Sequence, residues 1–135
     1  MAQFQFELVS PEQKIISEPV TMAVIPGEEG DFGVMAYHAP IVSTVRTGVV
    51  EIYRDNIRDK SERIFIAGGF ADVSGDQCTV LAEQAVNVND LNKDDIAKQL
   101  ADAKENLSLA EGNSDKRRFQ KQIDVLRAME AAIAA

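Results

Sequence analysis

Glu28, Glu29 and Asp31 crowd into a four-residue stretch, with Gly27, Gly30 and Gly33 at spacings of 3 through it and His38 shortly after. Paired carboxylates can act as an acid and a base, or bind a metal ion. That chemistry needs a pocket that splits their pKa values, and nothing in the sequence marks one. The bland reading is a solvated acidic loop, and its functional counterpart is a contact surface for a basic partner. The glycines lack the Lys and Ser or Thr of a Walker A loop, and no helix follows them, so they read as turn geometry. His38 precedes Ala39-Pro40 and has no Ser or Cys nucleophile motif nearby, so it reads as a structural or interface residue.

Other candidates weaken on inspection. Cys78, the single cysteine, reads as a half-buried small hydrophobe at a strand start. The Asn87–Asp95 stretch resembles a calcium loop but lacks the Gly at its sixth position and the Glu at its twelfth. Asn106-Leu107-Ser108 matches a glycosylation sequon inside an expected helix, and reads as chance. Lys116, Arg117, Arg118, Lys121 and Arg127 make one basic segment near the C-terminus. An acidic segment precedes it, with Asp90, Asp94, Asp95, Asp102, Glu105 and Glu111. Two readings stay open: mutual attraction across a hairpin, or docking of the basic segment on an acidic partner.

The elements that must carry these residues follow from composition and period. The chain has 135 residues, 45% hydrophobic and 27% charged, with a formal net charge of −8. That is a globular composition with enough length for a core. One Cys and one His exclude a disulfide scaffold and a Cys/His zinc site. The acidity argues against nucleic acid as a partner. No run approaches the roughly 20 apolar residues of a membrane span. The N-terminal residues carry no leader pattern, so the expectation is a chain that begins here and stays in a cytoplasm-like compartment.

Residues 1–88 carry 13 acids against 6 bases, and residues 89–135 carry 9 against 8. The charge break coincides with a change of period. Phe4, Phe6 and Leu8 alternate with polar residues, as in a strand with one buried face. Short apolar runs continue to Val88, punctuated by Pro26-Gly27, Gly68-Gly69 and Ser74-Gly75-Asp76. They predict a β-sandwich or flattened barrel of about ten short strands. Beyond Asn89, Ile96, Leu100, Ala103, Leu107 and Ala110 fall on one helical stripe, capped by Asn92. Gly112-Asn113 stops that helix, and Ser114 caps a second with Phe119, Ile123, Leu126, Met129 and Ile133 as its stripe. The short loop predicts an antiparallel α-helical hairpin. Each helix is thinly apolar, so the hairpin is expected to be marginally docked and able to move.

The segment Glu29-Gly30-Asp31-Phe32-Gly33-Val34-Met35-Ala36-Tyr37-His38-Ala39-Pro40 resembles the E-G-x-x-G-x-x-x-x-H-A-P signature of the epsilon subunit of F-type ATP synthase. Leu8-Val9-Ser10-Pro11-Glu12 and Phe65-Ile66-Ala67-Gly68-Gly69-Phe70-Ala71-Asp72-Val73 match in register. The resemblance covers essentially the whole chain. It implies a non-catalytic rotor subunit of the central stalk, bound to the γ subunit and resting on the ring of c subunits. The sandwich, residues 1–88, would carry those contacts, and the hairpin, residues 89–135, would regulate. Glu28, Glu29, Gly30 and Asp31 would face the c-ring, with His38, Ala39 and Pro40 in the same motif. The basic helix would meet the α and β subunits when the hairpin extends to block ATP hydrolysis. The implied place is peripheral, on the cytoplasmic face of a bacterial inner membrane.

One motif departs from the family. Members that bind ATP at the hairpin carry I/L-D-x-x-R-A, where this chain has Leu91-Asn92-Lys93-Asp94-Asp95-Ile96. Asp95 in place of a phosphate-facing Arg reverses the needed charge. The expectation is no ATP binding and no cofactor or metal. The rival readings are a free-standing small-ligand-binding sandwich with a helical lid, and an enzyme using His38 with the acidic loop.

Overall fold

The computed structural model describes residues 2–134. Met1, the first residue of the expected sandwich, and Ala135, the last of the expected hairpin, lie outside the described residues. The chain divides into two compact units, residues 1–87 and 88–135.

The first unit is all β. Its strands are β1 (Phe4–Val9), β2 (Lys14–Val20), β3 (Met22–Gly27), β4 (Gly30–Met35) and β5 (His38–Val45). They continue with β6 (Gly48–Tyr53), β7 (Glu62–Ile66), β8 (Gly69–Gly75), β9 (Gln77–Ala82) and β10 (Ala85–Asn87). One ten-stranded sheet runs β10-β7-β6-β3-β5-β8-β9-β1-β2, with β4 paired to β3 off that path. All pairings are antiparallel except β1 with β9, which is parallel from Gln5↔Gln77 to Val9↔Leu81. The sheet curls around one core of Phe4, Phe6, Leu8, Val20, Ile25, Ile52, Ile64, Ile66 and Val80, each 4% exposed or less. The expected alternation in β1 holds residue by residue: Phe4, Phe6 and Leu8 are inside, and Gln5, Glu7 and Val9 are partly exposed.

Two features close this sheet. Gly69 has φ +138°, and a Cβ there would lie 1.9 Å from the Leu81 carbonyl oxygen. Only glycine permits β8 and β9 to approach so closely after the Gly68-Gly69 corner. Arg54, just past β6, pairs with Glu18 of β2 and, at 2.5 Å, with Glu62 of β7. Asn87 of β10 donates its Nδ2 to Glu62 Oε1 at 2.7 Å. Thr21, buried between β2 and β3, donates its amide to the Tyr53 carbonyl and its hydroxyl to the Arg54 carbonyl at 2.7 Å. The two ends of the sheet path are thus clasped through one guanidinium.

The second unit opens with a 3-10 turn at Val88–Asp90, followed by α1 (Lys93–Leu109) and α2 (Asn113–Ala134), which pack on one another. Asn92 caps α1 as expected, its side chain accepting from the amides of Asp94 at 2.9 Å and Asp95 at 3.0 Å. Ile96, Leu100 and Ala103 are buried on α1, and Ile123, Leu126, Met129 and Ala132 on α2. The β-sandwich followed by a helical hairpin is therefore the architecture present.

Four local expectations are corrected. The segment around Gly30 and Gly33 is strand β4, not loop, because its backbone pairs with β3 from Met22↔Met35 to Gly27↔Gly30. Pro26 does not end β3; it pairs opposite Asp31, and its carbonyl accepts from the Arg46 amide at 2.9 Å. Ser114 lies inside the first turn of α2, whose first carbonyl partner is Gly112, bonded by the Lys116 amide at 3.0 Å. Cys78 is fully buried rather than half-buried, in β9 against β1.

Burial, and then the Asp72 carboxylate, push the Cys78 thiol up to about 12. The folded state thus disfavours the thiolate. Stability from this group is complete below the unfolded thiol's pKa of about 8.5 and is lost progressively as pH rises from there toward the folded value. Cys78 is expected to resist iodoacetamide in the native protein at pH 8 and to react in urea. The denaturation midpoint should fall above pH 8.5 more steeply in the parent than in Cys78→Ala. Gly69→Ala should destabilise the sandwich by roughly 3 kcal/mol through clash and strain. Gly75→Ala, with positive φ but open space at its Cβ, should cost only about 1 kcal/mol. Urea titration of the two variants side by side measures the difference.

Candidate functional site

The acidic segment is built as a hairpin tip. Glu28 and Glu29 form the turn between β3 and β4, and both are exposed. Gly30 leaves the turn with φ +143°, a conformation closed to L side chains without strain. Gly27 is equally constrained, since a Cβ there would meet the Gly30 carbonyl oxygen at 2.7 Å and the Phe32 ring at 2.9 Å. The tip is bound to β5 on one side: the Glu28 amide donates to the Thr44 carbonyl at 3.0 Å.

Arg46, which sequence reasoning passed over, organises the base of this hairpin. Its Nη1 donates to the Gly27 carbonyl and its Nη2 to Asp31 Oδ1, both at 2.5 Å. Asp31 therefore already has a cation. Glu28 and Glu29 are left as the two acids that project from the tip. Because the Arg46–Asp31 pair is largely solvated, its value lies in orientation more than in stability. The signal that could have found Arg46 is its position just after β5, the only base between Lys14 and Arg54.

The His38-Ala39-Pro40 motif opens β5. His38 pairs opposite Gly75, and the register with β8 shifts before Ile41↔Val73, so Ala39 and Pro40 form a bulge at the start of β5. A bulge is where proline is tolerated in a sheet. His38 Nδ1 lies 2.7 Å from the Ala39 carbonyl oxygen, which can only accept, so Nδ1 carries the proton. The structure brings Glu28, Glu29, His38, Ile41 and Val42 to the wall of one open depression of about 410 Å³. Gly30 also lines it; Asp31, Ala39 and Pro40 do not contribute.

Beside it lies an apolar surface that alternation alone did not reveal. Phe70 of β8 faces Leu81 of β9 across the ladder, 57% and 53% exposed, and Val42 of β5 is 73% exposed. Their neighbours Ala71 and Val80 point into the core. Apolar residues on both faces of a strand hide the outer one from a period-2 reading. Val9, Pro11, Phe70 and Leu81 line a shallow apolar depression of about 310 Å³. Among the described residues, no group of three or more His, Cys, Asp or Glu side chains is placed to hold a metal ion. Nor, among the described residues, is any helix long and apolar enough to cross a membrane.

The remaining candidates lie in the second unit, considered by itself. Lys116, Arg117, Arg118, Lys121 and Arg127 are all exposed on α2. Arg118 sits 3.8 Å from Asp115 and stacks over the Phe119 ring, 4.8 Å from its centroid. Lys116, Arg117 and Arg118 fall near the N-terminal end of α2, where the helix dipole disfavours cations. Local contacts offset part of that cost: Arg118 pairs with Asp115, and Arg117 Nε donates to the Asn113 carbonyl at 3.4 Å. Asn92 is occupied as the cap of α1.

Comparison with known proteins gives the same family from several directions. A family model described as ATP synthase, Delta/Epsilon chain, beta-sandwich domain matches residues 3–88. The ATP synthase epsilon chain of Rhodospirillum centenum is 43% identical, over 98% of this chain and 93% of the relative. That of Rhodospirillum rubrum is 44% identical over 95% and 94%. Among solved structures, a chain of the Euglena gracilis mitochondrial ATP synthase superposes with a TM-score of 0.82 at 24% identity, covering 98% of this chain and 82% of that one. A chain of the Tetrahymena thermophila central stalk and c-ring gives 0.64 at 11% identity, covering 96% and 95%. These two likenesses speak for the fold alone. With a matching family model over the sandwich and identity above 40% across both units, the chain belongs to the ATP synthase epsilon chain family.

Proposed function

We propose that this chain is a non-catalytic central-stalk subunit of the proton-transporting ATP synthase, joining γ to the c-ring so that proton-driven rotation reaches the catalytic head. The observation that carries the reading is epsilon-chain identity of 43% over 98% of the chain, which spans both units. The geometry supports it. An acidic tip at Glu28-Glu29 suits polar, partly basic loops of the ring, and the Phe70-Leu81-Val42 surface suits a protein partner such as γ. The sandwich interior is filled by side chains such as Phe6, Leu8 and Ile66, which disfavours the small-ligand alternative. Through the complex, the chain would lie peripherally on the cytoplasmic face of a bacterial membrane.

The hairpin is read as the regulatory part. Its exposed cations near the N-terminal end of α2 suit acidic segments of α and β. ATP is not its ligand in this reading: Asn92 is engaged as a helix cap, and Asp95 stands where the family motif has a phosphate-binding Arg.

Immobilised full-length chain is expected to retain γ at low salt; failure to retain it overturns the rotor assignment. Removing residues 89–135 from the assembled complex should raise ATP hydrolysis relative to synthesis. An unchanged hydrolysis rate would falsify the regulatory role of the hairpin while leaving the rotor role intact.

A further inference from the structure

The chain leaves the sandwich through its shortest strand. β10 has three residues, lies at one end of the sheet path and is paired to β7 alone. Bonded and non-bonded pairs alternate in an antiparallel ladder, so three residues form at most two bonded pairs. Of the β10 side chains, Ala85 is the one packed against the sandwich core, and it is only partly buried. An edge strand with few ladder bonds and little buried apolar surface opens ahead of the rest of its sheet.

The strand also ends at the boundary between the units. Asn87 is the last residue of the first unit, and Val88, the next residue, opens a turn that packs on α2 in the second. On the sandwich side the hold on Asn87 includes its side chain, whose Nδ2 donates to Glu62 Oε1 at 2.7 Å. The other oxygen of Glu62 accepts from the Arg54 guanidinium at 2.5 Å. Arg54 is fixed in turn by Glu18, and its carbonyl accepts from the Thr21 hydroxyl at 2.7 Å and the Gln3 side-chain amide at 3.0 Å. Glu62 is thereby kept from following Asn87 outward. A bond to a carboxylate that is half-buried and already oriented is stronger than one between neutral groups. Upstream, the Ala67 amide donates to the Gln84 carbonyl at 2.9 Å and the Glu83 amide to the Gly68 carbonyl at 3.2 Å. An opening that begins at Asn87 therefore stops at Ala85.

We propose that β10 is a releasable strand and that the Glu62–Asn87 bond is its latch, with Arg54 as the residue that positions Glu62. Closed, the latch fixes the point at which the helical unit is tethered. Open, it adds three residues to the tether, about 10 Å of reach at roughly 3.3–3.6 Å per residue. The latch itself stands on the contacts around Glu62. Its effect on ATP hydrolysis rests on the regulatory reading of the hairpin above: a longer tether carries the cations of α2 farther, so an open latch strengthens inhibition.

Hydrogen–deuterium exchange of the full-length chain, read over residues 83–88 and over β1 and β9, tests the latch. Asn87→Ala should speed exchange over 83–88 by roughly 5- to 30-fold and leave β1 and β9 as in the parent. Asn87→Asp, which sets a second carboxylate against Glu62, should speed it at least as much. Glu62→Ala should speed it too, and adding Asn87→Ala to that variant should change nothing more, since the bond is already lost. Lys60→Ala, which removes the Lys60–Glu51 pair, should leave 83–88 unchanged. Parent-like exchange in Asn87→Ala overturns the latch. Effects that multiply in the double variant overturn Glu62 as the partner of Asn87. Exchange that rises in β1 and β9 together with 83–88 overturns a local release. In the assembled complex, Asn87→Ala should lower ATP hydrolysis by roughly 2- to 5-fold. Parent-like hydrolysis in Asn87→Ala, where removal of residues 89–135 does raise hydrolysis, overturns the effect of the tether. A removal without effect overturns the regulatory reading and the tether's effect with it, and exchange decides the latch in either case.

Discussion

The sandwich depends on the parallel pairing of β1 with β9. Every other pairing in the sheet is antiparallel, and most join strands close in sequence. This one inserts the first strand between the ninth and the second, matching Phe6 with Cys78 and Leu8 with Val80. All four of those side chains are fully buried. The pairing closes the longest loop in the unit, and its entropic cost must be met by the apolar surface that it buries. The glycine corner at Gly69 and the Arg54 clasp serve the same closure. The former lets β8 approach β9, and the latter ties β2 to β7 where no ladder bonds join them. Placement of the candidate face follows, because β5, β8 and the β3–β4 tip take their positions from the closed sheet.

Much of this was legible in the residues. Phe4, Phe6 and Leu8 announced a strand with one buried face, and Ile96, Leu100 and Ala103 announced a helical stripe; both patterns act over distances that sequence alone can read. Strand β4 was not legible. Gly30-Asp31-Phe32-Gly33 has little β-propensity, and the segment is held by backbone bonds to β3 that leave no mark on its side-chain pattern. Cys78 looked half-buried because its burial is decided by a partner strand more than seventy positions away.

The candidate site was legible in part, for related reasons. The acids at Glu28 and Glu29 and the His38 motif stand out by residue type. Their convergence on one depression does not, because the β3–β4 turn is brought to β5 only in the folded sheet, through the Gly27↔Val45 pairing and the bond from the Glu28 amide to the Thr44 carbonyl. The Arg46 contacts to Gly27 and Asp31 were likewise invisible, although they decide which of the clustered acids keep their charge available. Phe70 and Leu81 were hidden in apolar runs whose inner members define the core. On α2 the cations were plain in the sequence, and a cap read at Ser114 already set Lys116, Arg117 and Arg118 at the positive end of the helix dipole; the helix starts one residue earlier, at Asn113.

The hairpin of β3 and β4 also has a mechanical consequence. Its ladder runs unbroken from Met22↔Met35 to Gly27↔Gly30, and β3 is held on its other side by β6 and, at Gly27, by β5. A force directed along β3 and β4 at Glu28-Glu29 therefore loads the ladder in shear, with the Arg46 guanidinium as a crossbar at its base. The tip behaves as a stiff cantilever rooted in the core. A force applied at its end is carried along β3 to Ala23 and Ile25, both fully buried.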